Sequence, residues 1–312
     1  MDVVTELTDG RFGKIAYMSS SPFEVHQILV KMDVTPKHPV FGHLLMPKNV
    51  EGVVPCVIAC HGSMGWRTHH HEHIDCWLEA GIAVFRLHCF DARNIQSIVT
   101  DQMMVTHGMM LADAFAALNL LQSHPQIDGE RIAISGWSLG GTVALYAAWM
   151  PIIESLSPNG CKFAAHLPIY PAAHMRPEIQ RWSSAPILAL HGEIDDYTPL
   201  NFVTELATLI RPHGAIFDIH TYPDAHHSFD SVEPVIWHPT AIRLDHRTVT
   251  IDAKGDLWSE ADPGVILPLN EPAERLAAFH YAQNIGAHFG GQDKARNHSL
   301  QFGTEFLIQH LN

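Results

Sequence analysis

The sequence predicts an α/β protein with a mostly parallel, doubly wound sheet flanked by helices. Short apolar runs rich in β-branched residues alternate with longer segments of helical periodicity along most of the 312 residues. Hydrophobic residues make up 46% of the chain and charged residues 17%, which is enough apolar material for a sizeable core. No linker rich in glycine or serine divides the chain, so we predict a single domain over residues 1–312.

The predicted elements follow one another in a regular order. An N-terminal hairpin is predicted at about 26–48, where HQILVKMDV and FGHLLMPK flank a proline-containing turn. Buried strands are then predicted, in order, at VPCVIAC, IAVFRLHC, RIAIS, FAAHLPIY, APILALH and IFDIHTY. Helices are predicted between them and at the end of the chain, at roughly 68–80, 101–123, 139–150, 200–212 and 293–311.

One extra segment, at about 231–269, interrupts the alternation of strands and helices. It contains TVTIDAKGDLW, which has the pattern of a hairpin turning at Ala253 to Asp256. We expect this segment to lie on the surface or over the functional site.

Composition and charge narrow the classes of partner. Nineteen basic and 33 acidic residues give a formal charge of −14, which argues against binding to nucleic acid or to an anionic membrane surface. No apolar run reaches the length of a membrane span. The N-terminus lacks a basic start followed by an apolar stretch, and five scattered cysteines suit reduced thiols, so a cytoplasmic location is expected. Assembly into a homo-oligomer is left open.

The stretch GWSLG at 136–140 matches the nucleophile elbow G-x-S-x-G. In that motif a serine occupies a sharp turn between a strand and a helix, and the cramped backbone needs small neighbours. RIAIS before the motif has strand character and LGGTVALYAAWM after it is helix-forming, so its context agrees. The alternative is a glycine-rich turn with an incidental serine. We predict that Ser138 is a nucleophile.

A serine nucleophile needs a histidine to take its proton and an acid to orient that histidine. APILALHGEIDDYTPL contains a strand followed by two acids, and the spacing to Pro199 favours Asp195 over its neighbour Asp196. IFDIHTYPDAHHSF contains a strand followed by a loop with two histidines, and the position just before Ser-Phe favours His227 over His226. The order serine, aspartate, histidine is the one that follows a nucleophile elbow.

Such a site also needs backbone N–H groups that stabilise the developing oxyanion. Leu139, at the start of the helix that follows Ser138, supplies the first of them. The loop HGSMG at 61–65 follows an early buried strand, and there Ser63 or Met64 supplies the second. The hydroxyl of Ser63 is interpreted as that of a turn residue, because the backbone carries the role.

These residues resemble the dienelactone hydrolase family of the α/β-hydrolase superfamily. The resemblance rests on HGSMG, FRLHCFDARN, GWSLGG, HGEIDDYTP and YPDAHHSF in the family's order, and it covers roughly residues 50–230 and the terminal helix. It implies the α/β-hydrolase fold. Two departures bear on the substrate: dienelactone hydrolase has a cysteine where this chain has Ser138, and a second arginine where this chain has Asp230 and Ser231.

The resemblance also implies a residue that binds the substrate. Arg93 in FDARN falls where the family places an arginine that binds the substrate carboxylate, which favours an anionic substrate. The alternative is that Arg93 pairs with Asp91 or Asp101 to hold a loop. Trp137 and His61, which adjoin the predicted nucleophile and the oxyanion loop, are further candidates for substrate contact.

The histidine-rich stretch THHHEHID at 68–75 raises the question of a metal. On a helix His69 and His73 lie one turn apart, a spacing that can chelate zinc, but the pattern is not HExxH. The alternative is a polar helix start near the mouth of the site, whose histidines contact the substrate or tune the pH response. We favour this alternative and predict neither a metal nor a cofactor.

The sequence therefore predicts a hydrolase that cleaves a small-molecule ester, or a thioester or lactone, through an acyl-enzyme intermediate. Ser138 attacks the carbonyl, His227 takes and returns the proton, and Asp195 holds the imidazole. Three alternatives stay open: a hydrolase of carbon-carbon bonds with the same triad, a peptidase, and a non-catalytic protein that kept the fold.

Overall fold

The computed structural model describes residues 2–48, 52–244 and 247–311. The strands in chain order are β1 (Val3–Val4), β2 (Gly13–Ser20), β3 (Lys37–Leu45), β4 (Val54–Cys60), β5 (Ala83–Leu87), β6 (Ile127–Trp137), β7 (His166–Ile169), β8 (Met175–Pro177), β9 (Ile187–Gly192), β10 (Phe217–Tyr222), β11 (Ile236–Leu244), β12 (Val249–Ile251), β13 (Leu257–Asp262), β14 (Val265–Pro268) and β15 (Gln283–Phe289). The helices are α1 (Val25–Val30), α2 (Thr68–Glu79), α3 (His107–Leu121), α4 (Leu139–Tyr146), α5 (Met150–Leu156), α6 (Leu200–Ile210), α7 (Pro272–Ala282) and α8 (Asp293–Leu311).

A nine-stranded sheet forms the centre of the molecule, in the order β1-β2-β3-β5-β4-β6-β7-β9-β10. Six of these strands, from β5 to β10 in that order, pair in parallel, and they are the six buried strands predicted from the apolar runs. Helices α1 and α3 to α6 pack on one face, whereas α2 and α8 pack on the other. The carboxyl ends of the parallel strands therefore meet along one edge, where ligands bind in such sheets.

The predicted N-terminal hairpin is corrected in its first strand. Residues 25–30 form α1, and β3 pairs in antiparallel fashion with β2, an earlier strand that the sequence analysis did not identify. The backbone N–H of Glu24 donates to Gln27 Oε1 at 2.7 Å, which caps the helix, and Val25 and Ile28 are buried together. This cap and the spacing of the buried residues favour a helix over a strand.

The remaining predicted helices are observed with two changes. The third helix begins at His107 instead of Asp101, because Thr106 caps it by accepting the N–H of Met109 at 3.3 Å. The helix predicted at 139–150 divides into α4 and α5. None of the helices in the described ranges combines the length and the apolar character that a membrane crossing requires.

The extra segment builds a layer of its own beside the main sheet. Strands β12 and β13 form the predicted hairpin, with Gly255 at a φ of +87° in the turn, and they extend to a four-stranded sheet in the order β14-β13-β12-β8. Strand β11 pairs in antiparallel fashion with β15, which the sequence analysis did not identify. Ile242 and Arg243 of β11 line a cavity that reaches Ser138, so the segment lies over the candidate site.

Candidate active site

Ser138 occupies a strained turn between β6 and α4. Its φ of 53° and ψ of −112° lie outside the regions that most residues adopt, and its N–H donates to the carbonyl of Ile169 at 2.9 Å. A Cβ on Gly140 would collide with the carbonyl oxygen of Cys60, and one on Gly136 would collide with the carbonyl oxygen of Gly140. The glycines of GWSLG are therefore needed for close backbone packing, which is the physical reason for the motif.

Ser138, His227 and Asp195 form one continuous chain of hydrogen bonds. The Nε2 atom of His227 lies 2.9 Å from Ser138 Oγ, and its Nδ1 atom lies 2.8 Å from Asp195 Oδ2. All three side chains are buried, and each follows a different parallel strand, respectively β6, β10 and β9. The arrangement lets the imidazole accept the serine proton while the carboxylate holds the ring.

The surroundings of Asp195 keep its carboxyl ionised. Burial by itself raises the pKa of this group, but the adjacent His227 imidazole and the N–H of Thr198 outweigh burial and hold the pKa below its usual value. Asp195 Oδ1 accepts the N–H groups of Tyr197 and Thr198 at 2.9 and 2.8 Å. The carboxylate is thus ready to stabilise a protonated imidazole.

Thr198 is a member of the site that the sequence analysis missed. Its Oγ1 donates to Asp195 Oδ2 at 2.9 Å and lies 3.1 Å from His227 Nδ1. A threonine three residues after an aspartate is typical of a turn in which the carboxylate caps the backbone. That local pattern, DDYT, was available in the sequence and could have indicated the contact.

Asp196 and His226, which the sequence analysis weighed against Asp195 and His227, belong to a separate cluster. The carboxylate of Asp196 accepts the backbone N–H of His288 at 2.9 Å and lies 2.8 Å from the ring atom Nδ1 of that residue. The ring of His226 packs on the same histidine, with ring centroids 5.0 Å apart. The structure thus brings Asp195 and His227 to the serine and places Asp196 and His226 in a second cluster.

The three residues predicted to form the oxyanion hole surround Ser138. Leu139 and Ser63 line the same cavity as the serine, and Met64 lines a second cavity that also reaches it. The N–H of Leu139 is in the first turn of α4, where helix geometry leaves N–H groups without a carbonyl partner inside the helix. In the described ranges we find no backbone acceptor for the N–H of Ser63. The N–H groups of Leu139 and Ser63 thus have no backbone acceptor in the part of the chain that the structure describes, as an oxyanion hole requires.

Two cavities have Ser138 in their walls. The larger, of about 90 Å³, extends between the loop after β9 and the extra segment. The smaller, of about 30 Å³, lies between the oxyanion loop and His227. A further chamber of about 40 Å³ adjoins the larger cavity and shares three of its wall residues, His107, His174 and Arg275. Ser138 thus borders more than one space that a small molecule could enter.

Arg93 does not face this site, which corrects its predicted role in binding a carboxylate of the substrate. Its guanidinium forms a two-pronged ion pair with the buried carboxylate of Asp113 on α3, at 2.7 and 3.0 Å. Neither cavity that reaches Ser138 is lined by Arg93. The alternative interpretation, in which the arginine holds a loop, was right about the role but wrong about the partner, which is neither Asp91 nor Asp101.

The two further candidates for substrate contact lie in different places. Trp137 lines the smaller cavity with one edge, and its indole N–H donates to Asp230 at 3.0 Å. His61 is turned away from both cavities and packs on Phe90, with ring centroids 4.3 Å apart. Its Nδ1–H donates to the carbonyl of Gly62 at 3.0 Å, so it supports the oxyanion loop instead of lining the space beside Ser138.

The histidines of α2 face a carboxylate. His73 Nε2 lies 3.2 Å from Asp230 Oδ2, and His69 Nε2 lies 3.7 Å from Asp230 Oδ1. Asp230 also accepts the hydroxyl of Tyr170 at 2.9 Å and the indole N–H of Trp137. Burial raises the pKa of Asp230, yet its histidine neighbours hold that pKa well below the usual value. His69 and His73 are therefore partners of a buried carboxylate, and their geometry does not support the zinc chelate considered from the sequence.

Comparisons with known proteins agree with the geometry. The model of the dienelactone hydrolase family matches residues 40–246. A protein of Methylorubrum extorquens assigned as a carboxymethylenebutenolidase is 27% identical over 44% of this chain and 47% of its own length. A Bradyrhizobium protein assigned as a 2-oxo-3-(5-oxofuran-2-ylidene)propanoate lactonase is 27% identical over 43% of this chain and 58% of its own length. The chain thus spans about half the length of the curated relatives it matches.

A solved structure shares the fold. The butyrate-bound esterase of Thermogutta terrifontis superposes with a TM-score of 0.55 at 13% identity, covering 93% of this chain and 94% of the esterase. At this identity the likeness concerns the architecture, which is the α/β-hydrolase fold. The family model matches well over half of the residues, so this chain belongs to the dienelactone hydrolase family.

Proposed function

We propose that this protein is a serine hydrolase that cleaves a carboxylic ester, lactone or thioester through an acyl-enzyme intermediate. The observation that carries the proposal is the hydrogen-bonded chain from Asp195 through His227 to Ser138, beside a cavity. Membership of the dienelactone hydrolase family and the names of the two relatives support ester or lactone hydrolysis as the reaction class.

The geometry suits a two-step reaction. Ser138 Oγ attacks the carbonyl carbon while its proton passes to His227 Nε2, and the oxyanion meets the N–H groups of Leu139 and of Ser63 or Met64. The carbon-oxygen bond to the leaving group then breaks, and the leaving alkoxide takes the proton from Nε2. Water enters, gives its proton to the same nitrogen and attacks the acyl-enzyme, which releases the acid and restores the serine.

Cationic side chains in the larger cavity support an anionic substrate. Arg243 and Arg275 both line its wall, on the side formed by the extra segment and α7. Arg275 is paired with the buried carboxylate of Glu24, whereas Arg243 donates its Nε–H to the carbonyl of Gly286 at 2.9 Å. Among the described residues the remaining N–H groups of Arg243 have no acceptor, so they can bind a carboxylate. We infer that Arg243 takes the role that Arg93 does not fill.

A fluorophosphonate probe tests the nucleophile. We expect one equivalent of label on the wild-type protein, none on Ser138→Ala, and slower labelling of His227→Ala and Asp195→Ala. Ser135→Ala is the matched control, because Ser135 is a buried serine on the same strand whose hydroxyl donates to the carbonyl of Leu167. A wild-type protein that stays unlabelled would contradict the proposal and favour a non-catalytic protein.

An ester panel tests the substrate class. Esters and lactones that differ only in a free carboxylate are compared on the wild type and on Arg243→Gln, which keeps a side chain able to form hydrogen bonds but removes the charge. We expect the kcat/KM for anionic substrates to fall by about tenfold to a hundredfold in the variant, with little change for neutral ones. An unchanged ratio between anionic and neutral substrates would contradict the role of Arg243.

A further inference from the structure

The two doublets beside the triad, Asp195-Asp196 and His226-His227, each contribute one residue to the hydrogen-bonded chain with Ser138. The other two, Asp196 and His226, are not used by the proposed reaction. They are on the loops that follow β9 and β10, which are neighbouring strands of the sheet. Because β9 and β10 are neighbours, their loops bring Asp196 and His226 together as they bring Asp195 and His227 together.

His288 of strand β15 completes this second cluster. One side-chain atom capable of binding a metal in each of Asp196, His226 and His288 lies within 4.8 Å of the corresponding atoms of the other two. The three residues are half-buried and come from three separate parts of the chain. Two imidazoles and a carboxylate form a common set of zinc ligands in proteins.

The three side chains lie next to one another before any ion binds. The backbone N–H of His288 donates to Asp196 Oδ1 at 2.9 Å, and Asp196 Oδ2 lies 2.8 Å from Nδ1 of the same histidine. In the described ranges His226 Nδ1 is shielded from solvent and has no hydrogen-bond partner. A shielded nitrogen without a partner is unfavourable, and a metal bond would satisfy it.

We propose that Asp196, His226 and His288 bind a divalent transition metal ion, with zinc as the best match to their donor atoms. Bonds to zinc are about 2.0–2.2 Å long, so the three side chains must draw together from their present spacing. The side chains of Asp196 and His288 are 34% and 41% exposed and can rotate to do so. Each imidazole binds through its unprotonated nitrogen and keeps its proton on the other nitrogen, and water completes the coordination.

Metal binding at this position would join the two loops that carry Asp195 and His227 to strand β15. Asp196 and His226 each adjoin a triad residue in sequence, and His288 adjoins Phe289, whose ring packs on His227 with centroids 5.0 Å apart. The ion would thus act as a brace, by which we mean that it keeps the loops of Asp195 and His227 in fixed positions relative to each other. Metal binding does not depend on the hydrolysis proposed above, whereas the role of the ion in holding the acid and the base rests on it.

Zinc titration tests the site directly. Metal-free protein, prepared with a chelator, is titrated with zinc chloride in a calorimeter, and we expect one saturable tight site. Asp196→Asn and His288→Gln should each weaken that site at least tenfold. His298→Gln is the control, because His298 is an exposed histidine that stacks on His220 away from the cluster. Equal zinc affinity in the wild type and both cluster variants would overturn the proposal.

Two further readouts do not depend on hydrolysis. Cobalt added in place of zinc should give the visible absorption bands of a four- or five-coordinate site in the wild type and in His298→Gln, but not in the cluster variants. Amide exchange in residues 193–198 and 224–229 should slow when zinc binds to the wild type. If Asp196→Asn does not fold, as judged by circular dichroism, His288→Gln decides the question. Zinc that saturates the wild type without slowing exchange in either loop would overturn the role as a brace.

Discussion

Two buried aspartates in this molecule each face a histidine, and the two pairs have different surroundings. In the first, Asp195 lies 2.8 Å from His227 Nδ1, and the other ring nitrogen lies 2.9 Å from Ser138 Oγ, beside a cavity. In the second, Asp230 lies 3.2 Å from His73 Nε2, and the other ring nitrogen is buried and has no partner in the described ranges. The two pairs therefore differ at the second ring nitrogen of the histidine. His227 can exchange a proton there with Ser138, whereas His73 has no partner there in the described ranges.

The second pair also has more supporting contacts. Asp230 accepts the indole N–H of Trp137 and the hydroxyl of Tyr170, so its charge is distributed over donors from β6, from the end of β7 and from α2. This network links Trp137, which precedes Ser138, to Tyr170 and to His73 on α2. We interpret Asp195–His227 as the reactive pair and Asp230–His73 as a structural pair, and the following predictions test that distinction.

The largest effect is expected for Ser138→Ala, which removes the hydroxyl that donates to His227 Nε2. We expect kcat to fall by a factor of about 10⁴ to 10⁶, because the acyl-enzyme cannot form. The measurement is steady-state hydrolysis of the best ester in the panel, with Ser135→Ala as control. A comparable loss in the control would indicate that the elbow had been distorted and that the serine oxygen is not the cause.

The next largest effect is expected for Asp195→Asn. The neutral amide can no longer stabilise the imidazolium or hold the tautomer that accepts the serine proton, so kcat should fall by about 10⁴. Far-UV circular dichroism should match that of the wild type. A loss of less than tenfold in kcat, in a folded variant, would contradict the assignment of Asp195 as the acid.

Asp230→Asn should affect stability more than rate. Replacing the buried carboxylate by an amide weakens its hydrogen bonds with His73, Trp137 and Tyr170 and should cost about 2 to 3 kcal/mol of unfolding free energy, whereas kcat should fall by less than tenfold in the protein that remains folded. Urea unfolding and hydrolysis are measured on the same samples, with His73→Gln and the double variant completing a thermodynamic cycle. A variant with unchanged stability and a rate as low as that of Asp195→Asn would reverse our interpretation of the two pairs.

The smallest effect concerns pH, and it distinguishes the paired carboxylates from the buried histidines. Burial lowers the pKa of His61 and of His166 to about 4, and that of His174 to about 3, so each stays neutral in the fold. Their unfolded pKa lies near 6.5, so the unfolded state binds more protons below that pH. The unfolding free energy should therefore fall as pH decreases from about 6.5, by roughly 1 kcal/mol per histidine at about pH 5.5.

The pH effect is measured as the difference in urea midpoint between about pH 7.5 and about pH 5.5. His166→Asn should reduce the corresponding difference in unfolding free energy by roughly 1 kcal/mol, because the side chain no longer titrates. Asp230 should not contribute in this range, since its pKa is lowered and its stabilising effect is lost only as the pH falls below the unfolded value of 3.8. An equal pH dependence in the wild type and in His166→Asn would contradict the assignment of these histidines.

The central sheet and the residues that line its edge were predictable from the sequence for a simple reason. Parallel strands end at one edge, so Ser138, Asp195 and His227, each just past an apolar run, had to meet there. GWSLG added a local signal, because its glycines are required where the turn packs against its own backbone and that of the neighbouring strand β4. The doublets were harder, since a choice between adjacent residues depends on the direction of the side chain in the loop.

Other features depend on contacts that sequence patterns do not contain. Asp230 and His73 are 157 residues apart, and no periodicity relates them. Arg93 pairs with Asp113, which is in the middle of a largely apolar helix where a carboxylate has no local signal for its partner. The first strand of the predicted hairpin was wrong because a short apolar run fits a helix and a strand equally well until a cap decides between them.

The extra segment also bears on how the substrate of such a protein can change during evolution. The triad and the oxyanion loop come from residues before about 230, whereas Arg243 and Arg275 in the cavity wall come from the extra segment and α7. The adjoining chamber is likewise walled largely by residues 247–279. Under the proposed function, reactivity and selectivity are therefore encoded in separate stretches of the chain. Exchange of residues 231–279 between homologues is then expected to change the substrate and to leave Ser138, Asp195 and His227 in place.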